Sequence, residues 1–183
     1  MEALKMDGYT VEDIYALPDG KRAELLNGQW MDMATPSRIH QDIVMALSAA
    51  LHDYIKKKGG SCRVYPAPFA VFLYQDNRTY LEPDISVICD PEKLDDRGCN
   101  GAPDLVVEVV SDSTKSRDYG IKLFHYKNAG VKEYWIVNPM RQIINLYDFA
   151  TEDESQSADM VTFSETLKSH LYPEFAVKMD EVM

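Results

Sequence analysis

Two carboxylates stand where carboxylates are costly. Asp84 opens the apolar run Ile85-Ser86-Val87-Ile88, directly after Pro83, and Glu108 lies inside Leu105-Val106-Val107-Glu108-Val109-Val110. An ionised side chain in so apolar a strand must find a partner, take up a proton or coordinate a cation, because an unpaired buried charge costs about several kcal/mol. Were the two strands neighbours, both carboxylates would aim at one point. They would then offer the oxygen ligands that a hard divalent cation takes together with water and a phosphate oxygen. A plainer reading stays open beside this one, with Asp84 a turn residue at a strand start and Glu108 the partner of a buried Arg or Lys.

Asp118, Lys122 and Tyr126 follow at four-residue spacing, which places them on one face of a helix. In one reading the Lys122 ammonium orients an attacking water and steadies charge developing on a phosphoryl group. In the other it is an exposed i,i+4 partner of Asp118, a cheap and common arrangement. Glu24, in Ala-Glu-Leu-Leu-Asn-Gly, and His40, one turn beyond a Ser37 cap, are ordinary residues when taken alone.

The elements that must position these groups are legible in the periodicity. Thr10 and Asp13 cap a short helix that Pro18 and Gly20 end. Asn27-Gly28 joins Arg22–Leu26 to Gln29–Met33 as a hairpin. From Ile39 to Ile55 apolar residues recur at three- and four-residue spacing, with Lys56, Lys57 and Lys58 at the negative end of the helix dipole and Gly59-Gly60 as the stop. Strands are expected at Cys62–Tyr65, Phe69–Tyr74, Ile85–Cys89 and Leu105–Val110, with Asp90–Pro103 as a polar connection. A helix over Ser116–Ala129 ends at Gly130, and strands follow at Glu133–Val137 and Ile143–Tyr147. After an acidic loop, Thr151–Asp159, a terminal pair at Met160–Phe163 and Ser169–Leu171 is expected to complete the sheet. The order gives an α/β (α+β) fold with a mixed sheet flanked by helices.

Length and composition fit this outline and narrow the function. The 183 residues suit one domain, 1–183, with a core over about 9–150 and a C-terminal strand extension over 160–183. Nineteen basic against thirty acidic side chains give a net charge of −11, spread along the whole chain, which disfavours histone-like binding of nucleic acid. Contact with nucleic acid must then come through a local basic patch or through metal ions that screen the carboxylates. No apolar run approaches the length of a membrane span, and Met1–Tyr9 lacks the apolar core of a secretory signal, so a cytoplasmic location is expected. Cys62, Cys89 and Cys99 form no CxxC pair and are expected to be reduced.

Taken in order, Glu24-Leu-Leu-Asn-Gly, Ser37 with His40, Pro83-Asp84, Pro103-Asp104-Leu-Val-Val-Glu108-Val-Val-Ser111, Thr114, Asp118, Lys122, Tyr126 and Gly130-Val-Lys-Glu-Tyr-Trp-Ile-Val-Asn-Pro139 resemble the Uma-type family of putative restriction endonucleases. That family belongs to the PD-(D/E)XK nuclease superfamily, and the resemblance covers roughly residues 9–150. It implies a restriction-endonuclease-like fold and a Mg²⁺- or Mn²⁺-dependent endonuclease acting on duplex DNA, in a group of enzymes that commonly dimerise. It implies Asp84 as the motif Asp, Glu108 as the (D/E), Glu24 as a further acidic residue of the metal shell and His40 as a nearby polar contributor. The superfamily lysine belongs two residues after the Glu, where this chain has Val110, and the resemblance points to Lys122 on the following helix instead. Asp104 competes for the name of motif Asp, but it would stand about 13 Å from Glu108 along one strand, which favours Asp84. A rival reading is a non-catalytic binding or assembly module that keeps the fold and a cation site.

Overall fold

The computed structural model describes residues 8–112, 114–151 and 158–183. Most of the loop expected over 151–159 and the first seven residues lie outside them. The chain opens with helix α1 (Val11–Tyr15) and the hairpin β1 (Ala23–Leu26) and β2 (Gln29–Asp32). Asn27 and Gly28 both take positive φ, 52° and 75°, as a two-residue hairpin turn matched to strand twist requires. Helix α2 (Arg38–Lys58) follows, with the Ser37 hydroxyl accepting the His40 amide at its start. Strands β3 (Arg63–Pro66), β4 (Val71–Phe72) and β5 (Ile85–Ile88) come next.

The stretch expected as a polar connection carries two short strands, β6 (Leu94–Asp95) and β7 (Gly98–Asn100), which join β4 in a separate three-stranded sheet. Strands this short and polar carry no alternating pattern to betray them. Strand β8 (Leu105–Val109) then leads through helix α3 (Lys115–Arg117), a π turn (Asp118–Lys122) and helix α4 (Leu123–Ala129) to β9 (Glu133–Asn138). The chain continues through β10 (Ile143–Asp148), β11 (Asp159–Thr162), β12 (Leu167–Lys168), β13 (Ala176–Val177) and helix α5 (Met179–Val182). Of the expected terminal pair, Met160–Phe163 appears as β11 beside β10, whereas Ser169–Leu171 is not a strand, and β12 just before it pairs with β13 instead.

The main sheet has six strands in the order β11-β10-β9-β8-β5-β3, and β8 and β9 are its parallel pair. A parallel pair needs a crossover, and α3, the π turn and α4 provide it. Alternation along the strands splits the sheet into two faces. Ile85, Val87, Leu105, Val107, Val109 and Trp135 pack with α2 through Ile43, Leu47, Leu51 and Ile55. Ile88, Val106, Val110, Tyr134 and Ile136 face the other way, against Tyr126 of α4 and Leu26 of the hairpin. Glu108 lies between Val106 and Val110 in parity, so it belongs to the α4 face.

One expectation fails outright. The register that pairs Arg63 with Ile88 carries Cys62 opposite Cys89, and the two are joined in a disulfide, while Cys99 is free and buried. Twenty-seven residues of separation with no spacing motif hide such a cross-strand pair from the sequence. Thiol titration of the unfolded, unreduced chain should find one thiol per molecule, and three only after reduction.

Candidate active site

Strands β5 and β8 run antiparallel with Ile85 opposite Val107. One pair further, Asp84 comes opposite Glu108, so both carboxylates stand on the α4 face at the same end of the sheet. The backbone fixes Asp84 from two sides. Its carbonyl accepts the Ala67 amide at 3.0 Å, and its Oδ2 accepts the Val109 amide at 2.7 Å. His40, in the first turn of α2, reaches the same Oδ2 with Nε2 at 3.2 Å. Burial alone would pull the His40 imidazole down, but the hydrogen bond and charge of Asp84 outweigh it and hold its pKa above the usual histidine value.

Lys122 comes to the centre of the acidic cluster from the crossover. Its Nζ lies 2.8 Å from Glu108 Oε1, 2.9 Å from Glu24 Oε2 and 3.6 Å from Asp118 Oδ1. The π turn explains how one element aims three side chains the same way. In an α-helix positions four apart drift by about 40° around the axis, and a wider π turn reverses that drift over its length. Asp118, Lys122 and Tyr126 therefore all face the sheet, and the Tyr126 hydroxyl donates to Glu108 Oε1 at 2.9 Å. The left-handed Gly130 then ends α4 with its amide on the Lys127 carbonyl, and the Val131 amide bonds to the Tyr126 carbonyl.

Glu24 enters from the hairpin. Leu26 shares its face and packs toward α4, while Ala23 and Leu25 face the α1 side. Glu24 Oε1 also accepts the Glu82 amide at 3.0 Å, and Glu82 is held in turn by Arg22 and by the Tyr80 hydroxyl. The exposed Lys122–Asp118 pair allowed by the spacing is thus corrected. Lys122 is 5% exposed and Asp118 2%, because the helix packs this face onto the sheet. Asp118 is the member of the cluster that sequence reasoning left out of the site, although its spacing from Lys122 and Tyr126 was the available signal. Asp104 sits at the other end of β8, where it binds Lys132 at 2.7 Å and the Cys89 amide at 2.8 Å, a structural pairing away from the cluster.

The electrostatics of this cluster are lopsided. Four carboxylates (Glu24, Asp84, Glu108, Asp118) face one ammonium and one imidazole, so full ionisation leaves two negative charges in excess even with His40 protonated. Burial pushes the Glu108 carboxyl well above its usual range against the opposing pull of Lys122, and burial likewise raises Asp118. Burial alone would lower the Lys122 ammonium, but Glu108, Glu24 and Asp118 outweigh it and hold it well above the ordinary lysine value. Lys122 therefore stays charged and cannot serve as a proton acceptor near neutrality.

The donor set fits a hard cation of modest demands. Asp84 and Glu108 would hold such a cation, their carboxylates fixed by the contacts at Oδ2 and Oε1 described above, with water completing its shell. Among the described residues no three His, Cys, Asp or Glu side chains converge into an all-protein cage. Mg²⁺ and Mn²⁺ sites that act on phosphates rarely need one, since they keep several waters and borrow substrate oxygens.

Comparison with known proteins gives the family and the fold. A family model, Uma2, described as "Putative restriction endonuclease", matches residues 11–180. A protein of Synechocystis sp. (strain ATCC 27184 / PCC 6803 / Kazusa), described as "Uncharacterized protein slr1290", is 30% identical over 128 residues, which are 69% of this chain and 66% of that one. The match thus spans just under two thirds of that relative. Among solved structures, the "putative nuclease belonging to DUF820 from Anabaena variabilis ATCC 29413" superposes with a TM-score of 0.74 at 16% identity, over 94% of this chain and 96% of that one. At that identity the likeness is one of fold. No helix among the described residues is long and apolar enough to cross a membrane.

Proposed function

The chain belongs to the Uma2 family, described as putative restriction endonucleases, and from that membership and the acidic cluster we propose that it is a Mg²⁺- or Mn²⁺-dependent endonuclease that hydrolyses phosphodiester bonds in duplex DNA. The observation that carries this reading is the meeting of Asp84 and Glu108 on one face of neighbouring strands, in a cluster with too few positive charges of its own. Asp84 and Glu108 would hold the cation, with Glu24 beside them. The cation's part, when bound, is to neutralise the phosphate and lower the pKa of a bound water.

The chain's own residues do the rest. His40 and the Val109 amide fix the rotamer of Asp84 by occupying Oδ2. Tyr126 does the same for Glu108 through Oε1. Lys122, permanently charged, orients a water or a phosphate oxygen by donating hydrogen bonds and stabilises negative charge as it builds. Arg38, two residues before His40, and Lys115, near the start of the crossover, are exposed but each is paired with a carboxylate, Asp42 and Asp112, so a bound cation would have to supply the positive charge that meets a phosphate. A homodimer would give each copy one strand of a duplex to cut.

A non-catalytic module is the second reading. The net charge of −11 favours it. Incubating supercoiled plasmid with the purified protein separates the two. The nuclease reading expects nicked and linear DNA with Mn²⁺ or Mg²⁺ and none with EDTA. Intact plasmid under every metal condition, from protein whose melting temperature rises with Mn²⁺, would favour the module.

A further inference from the structure

Beside Asp84 lies a feature that the cluster does not use. Tyr65, the third residue of β3, and Phe69, just past it, stack with their centroids 4.2 Å apart and their planes within 9° of parallel. Aromatic neighbours in protein interiors usually meet offset or edge to face at 4.5–7 Å. Most other aromatic pairs here do so, tilted or T-shaped at 5.0–6.5 Å. A flat, close pair covers one face of each ring, and a planar group added to an outer face would extend the stack. Both rings are half-buried, and both pack at the border of the α4-side core, on the face that holds Glu108. β3 is the last strand at its end of the main sheet.

The distance to the cluster follows from the register. Tyr65 pairs with Ser86, which makes Asp84 its diagonal cross-strand neighbour, about 7–8 Å away between backbones. The loop between the two rings is tied to Asp84 directly through the Ala67 amide, at 3.0 Å from the Asp84 carbonyl. A strand with one phosphate at Asp84 would thus carry a base of an adjacent nucleotide past the ring pair.

We infer that the Tyr65–Phe69 pair is a stacking platform for an unpaired nucleobase next to the cleaved phosphate, so that the protein grips single-stranded or locally opened DNA more tightly than closed duplex. The inference rests on the nuclease reading for its place beside a cleaved bond, and it narrows the substrate class of that site. It also answers a problem posed by the charge. A chain with a net charge of −11 gains little from phosphate neutralisation, whereas stacking on aromatic faces needs no basic surface and tolerates any base.

The test measures binding in EDTA, where cleavage plays no part. A fluorescein-labelled twelve-residue oligo-dT and a closed hairpin duplex are titrated with wild type, Tyr65→Leu, Phe69→Leu and Tyr65→Trp. The platform predicts that each Leu variant loses roughly tenfold or more in affinity for the single strand, with duplex binding unchanged. It also predicts that Tyr65→Trp retains affinity, with its indole emission quenched by the strand, and that single-strand binding weakens only shallowly from 50 to 200 mM salt. Unchanged single-strand affinity in both Leu variants would overturn the inference. So would an equal loss on duplex, or an unquenched Trp at position 65 in a protein that still binds the strand. Failure of metal-dependent cleavage with strand binding intact would remove the nuclease reading and leave the platform standing.

Discussion

Replacing Lys122 with Met should lower the melting temperature on the order of 10 °C, the largest stability loss expected from any single change in the cluster. The ammonium is the cation shared by Glu24, Glu108 and Asp118, all nearly inaccessible to water. Removing one partner of a buried ion pair typically costs about 3–5 kcal/mol, because the remaining charge is left without compensation. In a chain of this size each kcal/mol shifts the melting point by about 2–4 °C. The mechanism has a signature that simple loss of packing lacks. Adding Glu108→Gln removes one of the three carboxylates left without a counterion, so the double variant should melt above Lys122→Met alone. Additive losses in the double variant would mean that Lys122 contributes through its aliphatic stem and not as the counterion.

Asp84→Asn and Glu108→Gln should behave in the opposite manner, with stability kept and activity lost. Each amide preserves the shape and most hydrogen bonds of the carboxylate it replaces, including the bond from the Val109 amide to position 84 and from Tyr126 to position 108. Neither carries the charge that a divalent cation requires. Metal-free protein should melt at or above the wild-type temperature, because each change takes a negative charge out of a cluster already in excess. Cleavage should fall roughly a thousandfold or more, the equivalent of about 4 kcal/mol of lost charge stabilisation. The rise in melting temperature that Mn²⁺ gives the wild type should vanish in both, since a ligand stabilises only the form that binds it. Cleavage that survives in both variants would place the activity elsewhere or in a contaminant.

How much of this was legible in the sequence depends on whether an element is defined locally. The hairpin was, because Asn27-Gly28 demands positive φ at both positions. So was α2, whose apolar spacing, Ser37 cap and glycine stop all agree. The apolar strands around Asp84 and Glu108 were visible too, and with them the oddity of a carboxylate in each. What the residues alone could not supply was pairing. That β5 lies against β8 in the register setting position 84 opposite 108 is a property of the sheet, and a slip of one residue would have put the two carboxylates on opposite faces. The same reason hid the Cys62–Cys89 bond. Asp118 was misplaced because a four-residue spacing from Lys122 looks identical on a solvated and on a buried helix face. The π turn that buries it has no periodic signature of its own. β6 and β7 escaped because Gly98 and Asn100 are turn residues by type and are strand residues only through pairing, Gly98 with Asp95 of β6 and Asn100 with Phe72 of β4.

Whether Asp84 and Glu108 together hold a divalent cation can be read from diffraction by crystals soaked in Mn²⁺. An anomalous peak is expected on the α4 face of the sheet, about 2.1 Å from one oxygen of Asp84 and one of Glu108, with Lys122 still bound to Glu24 or Asp118 nearby. Mn²⁺ found only at other carboxylates, with Asp84 and Glu108 unmoved and no peak between them, would contradict it.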